Sequence, residues 1–360
     1  MKKIRIAFFA YPHYRFPPDG YGPMQTVVSD IVEALSRNKN YEITVFATGD
    51  SKLPAKIICV KDTPDLSDKT VPDARIYEFL ALGKLISQKE QFDIISSHVG
   101  FHILPFAKLF SCPILVNLQG DYSNSHYYYF FHHYRQDANF VTISNFQRSY
   151  LPNLNYAGTV YHGIKLDDFS YNNKPDMSQL AFLGRTDPVK GLGDAIQVAL
   201  ESNLKLIAGA KTTNSELAKQ YYIKKVEPYI DNKRIVFLGE IGNKKRNELL
   251  SNSLALLFPI NWNEPFGLVM VEAMACGTPI IAYNCGSVSE IIEDGKTGFI
   301  IRPGDVKGMI HAIKKIKSMP SDEYQKMRQN CRKRVESNFT SEKMVENYIK
   351  IYHKVLKRKI

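Results

Sequence analysis

Apolar residues along this chain fall into short runs separated by stretches with helical spacing. Residues 4–10, 43–47, 92–96, 113–117 and 140–143 read as strands. Between the first two, Val27, Val28, Ile31, Val32 and Leu35 recur on one helix face. A second series of strands covers 179–184, 204–209, 234–239, 254–259, 279–283 and 298–301, with helices over 191–201, 214–229 and 266–275. Strand, helix, strand at these intervals predicts an α/β protein with two Rossmann-like, doubly wound parallel sheets, helices covering both faces. The polar stretch 167–175 reads as a linker, giving domains over 1–168 and 169–340, and two helices, roughly 322–337 and 341–357, end the chain. Ligands of open sheets bind outside the carboxyl ends of the strands, so two such domains facing across a cleft offer two half-sites.

Length and composition agree with this organisation. The 360 residues exceed what one core usually serves, and 44% hydrophobic with 23% charged residues is ordinary globular composition. The first apolar run is short and broken by Arg5, so it reads as a strand and not as a signal peptide. No stretch reaches the length of a membrane span. Five cysteines without a C-x-x-C pair argue against a disulfide framework or a zinc site, and a cytoplasmic location is expected. Net charge is +11, and residues 302–360 hold 16 Lys/Arg against 6 Asp/Glu. That surplus reads either as a solvated helical face or as contact with an anionic surface at the inner membrane. Nucleic acid is disfavoured, because no recognition motif accompanies the charge.

Three segments carry candidate chemistry. In Asn263-Glu264-Pro265-Phe266-Gly267-Leu268-Val269-Met270-Val271-Glu272, Glu264 precedes a helix predicted to open on Phe266, Gly267, Leu268 and Val269. Amides at a helix start suit a phosphate, and Gly267 lets the backbone approach it closely. Glu272 lies two turns beyond Glu264, so both carboxylates can accept hydrogen bonds from sugar hydroxyls in one cleft. In Gly184-Arg185-Thr186-Asp187-Pro188-Val189-Lys190-Gly191, two cations follow a strand end, where they can hold a diphosphate and neutralise it as it leaves. Pro17-Pro18-Asp19-Gly20-Tyr21-Gly22-Pro23-Met24-Gln25 offers a glycine loop before the first helix. Gln25 stands where a dinucleotide fingerprint needs a third glycine, and Glu290 stands where a P-loop ending at Gly295-Lys296-Thr297 needs one.

Together these segments resemble the family 4 glycosyltransferases, retaining enzymes of the GT-B fold. Glu264 and Glu272 match that family's paired glutamates, and Gly184-Arg185 through Lys190-Gly191 its diphosphate loop. The likeness continues through Val160-Tyr161-His162-Gly163-Ile164, Phe237-Leu238-Gly239-Glu240 and Gly286-Ser287-Val288-Ser289-Glu290. It looks closest to a UDP-glucose:tetrahydrobiopterin glucosyltransferase-like subgroup. The resemblance implies that Arg185 and Lys190 hold the donor diphosphate. It implies that Glu264 contacts the transferred sugar beside the backbone of Phe266, Gly267, Leu268 and Val269, and that Glu272 binds the ribose. Gly239 and Ile241 would meet the base, with Gly22 and Gln119 reaching the donor from the first domain. It also implies that the C-terminal helix, about 341–360, packs back on the first domain. Two positions depart from the family. Pro23 replaces a glycine and removes an amide donor, and Gln119 replaces a histidine.

The expected reaction is hexose transfer from a nucleotide diphosphate sugar, with UDP-hexose favoured, to an unidentified acceptor. It follows a front-face route that needs neither a protein nucleophile nor a metal or other cofactor. A sugar-nucleotide epimerase, or a catalytically dead sugar-binding or membrane-associated subunit, are the alternative readings. The aromatic run 125–134 reads as a helix packed partly into the first domain or as an acceptor-side surface, and His98 and His102 as core or cleft-wall residues.

Overall fold

The computed structural model describes residues 3–12, 14–19, 22–63, 73 and 75–357. Gly20 and Tyr21 of the predicted glycine loop lie outside these residues, as do 358–360 of the predicted last helix. The elements run β1 (Ile4–Phe9), α1 (Pro23–Ser36), β2 (Tyr41–Thr48), β3 (Lys56–Lys61), α2 (Arg75–Ser87), β4 (Ile94–Ser97), β5 (Ile114–Leu118), α3 (Ser125–His133), β6 (Asn139–Thr142) and β7 (Tyr156–Thr159). They continue with β8 (Asp176–Arg185), α4 (Leu192–Glu201), β9 (Lys205–Lys211), α5 (Glu216–Lys225), β10 (Ile235–Gly239), α6 (Asn243–Ser251), β11 (Ser253–Phe258), α7 (Leu268–Ala275), β12 (Ile280–Tyr283), α8 (Val288–Ile291), β13 (Gly298–Ile301), α9 (Val306–Ser318), α10 (Ser321–Asn338) and α11 (Ser341–Lys357).

The chain divides into two compact units, Met1–Gly163 with Ser341–Ile360, and Ile164–Thr340. In the first, the parallel sheet has the order β3-β2-β1-β4-β5-β6-β7. Its central strands are buried on both faces, which is why β1 and β5 read as nearly unbroken apolar runs. β3 and β7 were not foreseen. β3 is a half-exposed edge strand, and β7 spans four residues including Gly158. A Cβ on Gly158 would stand 2.5 Å from Ile351 Cδ1, so the glycine makes room for α11. That helix completes this unit's core, with Met344, Tyr348, Ile351, Tyr352 and Val355 packed among Val27, Val28, Ile31, Val45 and Val141.

His98 is a core residue of this unit. It stacks on Phe8 with ring centroids 5.7 Å apart, and its Nε2 lies 3.2 Å from Ser96 Oγ. Burial, and after it the nearby His162, pushes its pKa down to about 3, and burial takes His162 to about 4. Unfolded imidazoles take up protons near 6.5, whereas these two stay neutral until far lower pH. The unfolded state therefore binds more protons in that window, and stability falls as pH falls through it. We expect the melting midpoint to drop between about pH 7 and pH 4.5, and to drop less in His98→Asn. Parallel pH profiles for the two proteins would contradict this. His102 Nδ1 lies 2.6 Å from Glu78 Oε2 of α2, with the His102 side chain partly exposed. The aromatic run forms α3, capped by Asn124 and anchored by buried Phe131, while Tyr129 faces solvent.

The second unit holds a parallel sheet of order β10-β9-β8-β11-β12-β13, and all six strands predicted for it are present. The predicted linker 167–175 packs within this unit. The Ser170 amide donates to Asn247 Oδ1, and Arg328 and Gln325 donate to the carbonyls of Asn172 and Asn173. Part of the basic surplus is structural. Arg328 is fully buried and also reaches the Ser251 and Cys276 carbonyls, while Arg332 donates to Phe169 and Ala275. Arg334 donates to the Glu290 and Ile291 carbonyls. These cations neutralise the carbonyl ends of α7 and α8. Among the described residues no helix is long and apolar enough to cross a membrane.

Candidate functional site

The switch point of the second sheet lies between β8 and β11, neighbours in the sheet from which the strand order runs outward in opposite directions. β8 ends at Gly184 and Arg185. The chain then makes a single 3-10 turn, Pro188–Lys190, and enters α4 through Gly191 at φ +74°. A Cβ on Gly191 would stand 2.0 Å from the Pro259 carbonyl oxygen, so only glycine allows the loop after β8 to lie against the loop after β11. The Asn261 amide joins the two by donating to the Val189 carbonyl at 2.8 Å.

This junction brings Lys190 and Glu264 together. Lys190 Nζ donates to Glu264 Oε2 at 2.8 Å, and both side chains are largely buried. Trp262 was not singled out by the sequence. Its Nε1–H donates to the same oxygen at 3.0 Å, and Lys190 Nζ stands 4.6 Å from the centre of its ring. Arg185 does not join this cluster through any direct bond. Its Nε pairs with Asp187 Oδ2 at 2.8 Å, and that carboxylate also accepts from Thr213 Oγ1. The Arg185 side chain is half exposed.

The helix after Glu264 begins later than predicted. Phe266 and Gly267 precede it, and α7 starts at Leu268 with Gly267 as its N-cap at φ +81°. Gly267 faces Glu264, since a Cβ there would stand 3.3 Å from Glu264 Cγ. The first turn of α7, which includes Leu268 and Val269, has no acidic residue, so no side chain of that turn neutralises its positive dipole end. A brace absent from the residue-by-residue reading supports this loop. Gly286, at φ +65°, lies flat on the Glu264 backbone. The Ser287 amide donates to the Glu264 carbonyl at 2.9 Å, and Ser287 Oγ to the Phe266 carbonyl at 2.8 Å. Gly286-Ser287 stood in the sequence only as part of the family likeness.

Glu264 and Glu272 are held by different partners. Glu264 lies four residues ahead of α7, so helical periodicity does not set the two acids on one face. Glu272 is buried on α7, and its Oε2 lies 3.4 Å from Arg246 Nε of α6. Burial raises its carboxyl pKa and Arg246 opposes the rise. A buried carboxyl with a raised pKa binds its proton more readily folded than unfolded, so it removes stability as pH rises through that range. We expect Arg246→Met to steepen the loss: its melting midpoint should approach wild type near pH 5 and fall below it near pH 8, by a cost of about 3 kcal/mol or more. An equal deficit at both pH values would exclude this coupling.

Gly239 ends β10 at φ +68° with open space beside it, and Ile241 lies over Gly209 next to Leu183. Gly22 and Gln119 belong to the first unit. Gly22 caps α1, its carbonyl accepting from the Thr26 amide at 2.9 Å. Gln119 Nε2 lies 3.1 Å from His98 Nδ1. Among the described residues no cluster of three His, Cys, Asp or Glu is placed to hold a metal ion.

Residues 164–334 match the family model of the Glycosyl transferases group 1. A stretch of 125 residues is 38% identical to N-acetyl-alpha-D-glucosaminyl L-malate synthase of Bacillus anthracis, covering 34% of this chain and 32% of that one. The chain thus matches about a third of that relative's length. Sucrose-phosphate synthase from Thermosynechococcus elongatus superposes with a TM-score of 0.82 at 19% identity, over 99% of this chain and all of that one. The fold is GT-B. An Anabaena protein solved in complex with UDP-glucose shares it, with a TM-score of 0.70 at 15% identity, over 96% of this chain and 98% of that one. The family match is thus confined to residues 164–334, while the likeness over the whole chain is one of fold.

Proposed function

We propose that this protein is a retaining hexosyltransferase that takes its sugar from a UDP-hexose and passes it to an acceptor hydroxyl. One observation carries the reading. Two loops 74 residues apart in sequence converge so that Lys190 and Glu264 meet at 2.8 Å beside the start of α7. A cation, a carboxylate and a helix start together match a diphosphate joined to a sugar. The match of residues 164–334 to the group 1 glycosyl transferases, and the fold shared with a protein solved with UDP-glucose, favour the same donor class.

In this reading the bond from the anomeric carbon to the β-phosphate oxygen stretches, and its electron pair passes to the diphosphate. Lys190, Arg185 and the amides at the α7 start stabilise that charge, each by roughly 3 kcal/mol in the transition state. The acceptor oxygen attacks from the same face, and its proton passes to the departing diphosphate oxygen. Glu264 receives hydroxyls of the transferred sugar, and Glu272 those of the ribose. The neutralising cations belong to the protein, so this route requires no metal ion.

A thermal-shift series with UDP-, GDP- and ADP-sugars tests the donor. Binding at 100 times the dissociation constant stabilises by about 2.7 kcal/mol, which ranks them. Proton NMR of the product from UDP-glucose then reads the anomeric configuration. An inverted product would remove the retaining mechanism, free UDP-galactose would indicate an epimerase, and no shift with any nucleotide sugar would remove the whole reading.

A further inference from the structure

We propose that Trp262 is a positioning residue for the donor sugar. Its indole N–H keeps the Glu264 carboxylate in place when Lys190 is drawn to the diphosphate. The inference rests on the donor reading of Lys190 and Glu264 given above.

Two donors meet at one oxygen. Glu264 Oε2 accepts from Lys190 Nζ at 2.8 Å and from Trp262 Nε1 at 3.0 Å, and the Lys190 ammonium also stands 4.6 Å over the Trp262 ring. Without a donor, lysine and glutamate neutralise each other. An arriving diphosphate competes for the same ammonium with a larger negative charge, and a flexible lysine stem can follow it. Glu264 then loses its cation. A carboxylate released in this way is free to rotate, and that freedom is lost again each time it binds a sugar. The indole has no such freedom. It is neutral, so the diphosphate does not attract it, and its own loop is fixed. The Glu264 amide donates to the Trp262 carbonyl at 2.8 Å, and Asn261 is tied to Val189. The bond to Oε2 therefore persists and leaves Oε1 to face sugar hydroxyls. The ring face serves Lys190 and the ring edge serves Glu264, so the two functions can be separated by substitution.

Trp262→Phe keeps a ring under Lys190 and removes only the N–H. The assay measures UDP affinity by calorimetry, and KM and kcat for UDP-glucose by UDP release, on the full chain. We expect UDP affinity within about twofold of wild type. We expect the affinity for UDP-glucose relative to UDP to fall about tenfold or more, the scale of one hydrogen bond to a charged group. A purely structural role would weaken both ligands together, and equal losses would overturn the proposal. Trp262 is the only tryptophan in the chain, which supplies a second readout without mutation. Saturating wild type with UDP should change its emission as the ammonium leaves the ring, and Lys190→Met should abolish the change. An unchanged wild-type emission at a UDP concentration that calorimetry shows to be saturating would also overturn it. If wild type binds neither UDP nor UDP-glucose by calorimetry, the donor reading itself fails and this inference falls with it.

Discussion

Replacing Lys190 by alanine is expected to reduce UDP-glucose turnover by about 10²–10³-fold, the loss typical of one preorganised charge-stabilising donor. The side chain lies in the loop between β8 and α4, largely buried against Glu264 and Trp262. Its removal leaves the Glu264 carboxylate with the Trp262 N–H, so the remaining charge is not stripped of every donor. The folding cost should therefore stay near 1–3 kcal/mol, roughly the penalty for one lost partner. Arg185→Ala is the companion variant. Its side chain is half exposed and paired only locally with Asp187, so its folding cost should be within about 0.5 kcal/mol while turnover still falls. Turnover above half the wild-type value in folded Lys190→Ala would show that the lysine does not meet the leaving group.

Gly286→Ala should damage the site from behind. A Cβ at this position would stand 2.2 Å from the Glu264 carbonyl oxygen and 2.4 Å from the Glu264 nitrogen. These are backbone atoms and cannot swing aside as a side-chain tip can. The left-handed conformation adds its own penalty for any residue with a Cβ, roughly 1 kcal/mol. Overpacking of this kind costs roughly 1–3 kcal/mol more, so a loss of about 2–4 kcal/mol is expected. The relieving movement displaces Glu264, with the Ser287 bonds to the Glu264 and Phe266 carbonyls broken or stretched. KM for UDP-glucose should rise about tenfold or more, the scale of one hydrogen bond to a charged group. Gly239→Ala is the control for stability, since Gly239 has a similar φ of +68° but nothing within 4 Å of the added atom. Equal melting midpoints for the two variants would refute the clash argument.

The sequence made the fold legible where burial was two-sided. Strands such as β11, buried at all six positions, announce themselves as apolar runs between turn residues. β3 was hidden because its residues alternate irregularly between exposed and half-buried, as suits an edge. α6 was hidden because Asn243-Lys244-Lys245-Arg246-Asn247 presents only polar side chains before its buried end. The site was legible as two motifs and illegible as a geometry. Lys190 and Glu264 were each named, but nothing local in the sequence says that they pair, because the contact depends on Gly191 resting on Pro259. The predicted start of the helix after Glu264 was early for a related reason. The left-handed Gly267 interrupts the chain between Glu264 and Glu272 and starts the helix two residues late. Trp262 gave no signal, since a lone tryptophan before an acid looks the same whether it packs a core or steers a carboxylate.

The placing of α11 bears on how the polypeptide matures during synthesis. Met344, Tyr348, Tyr352 and Val355 of this helix fill the interior of a unit whose strands are all translated before Gly163. A nascent chain that has emerged only as far as residue 340 holds every residue of the later unit but lacks this plug. The unit begun before the other is thus closed after it, and until α11 emerges its apolar sheet face stays open to chaperones and to other nascent chains.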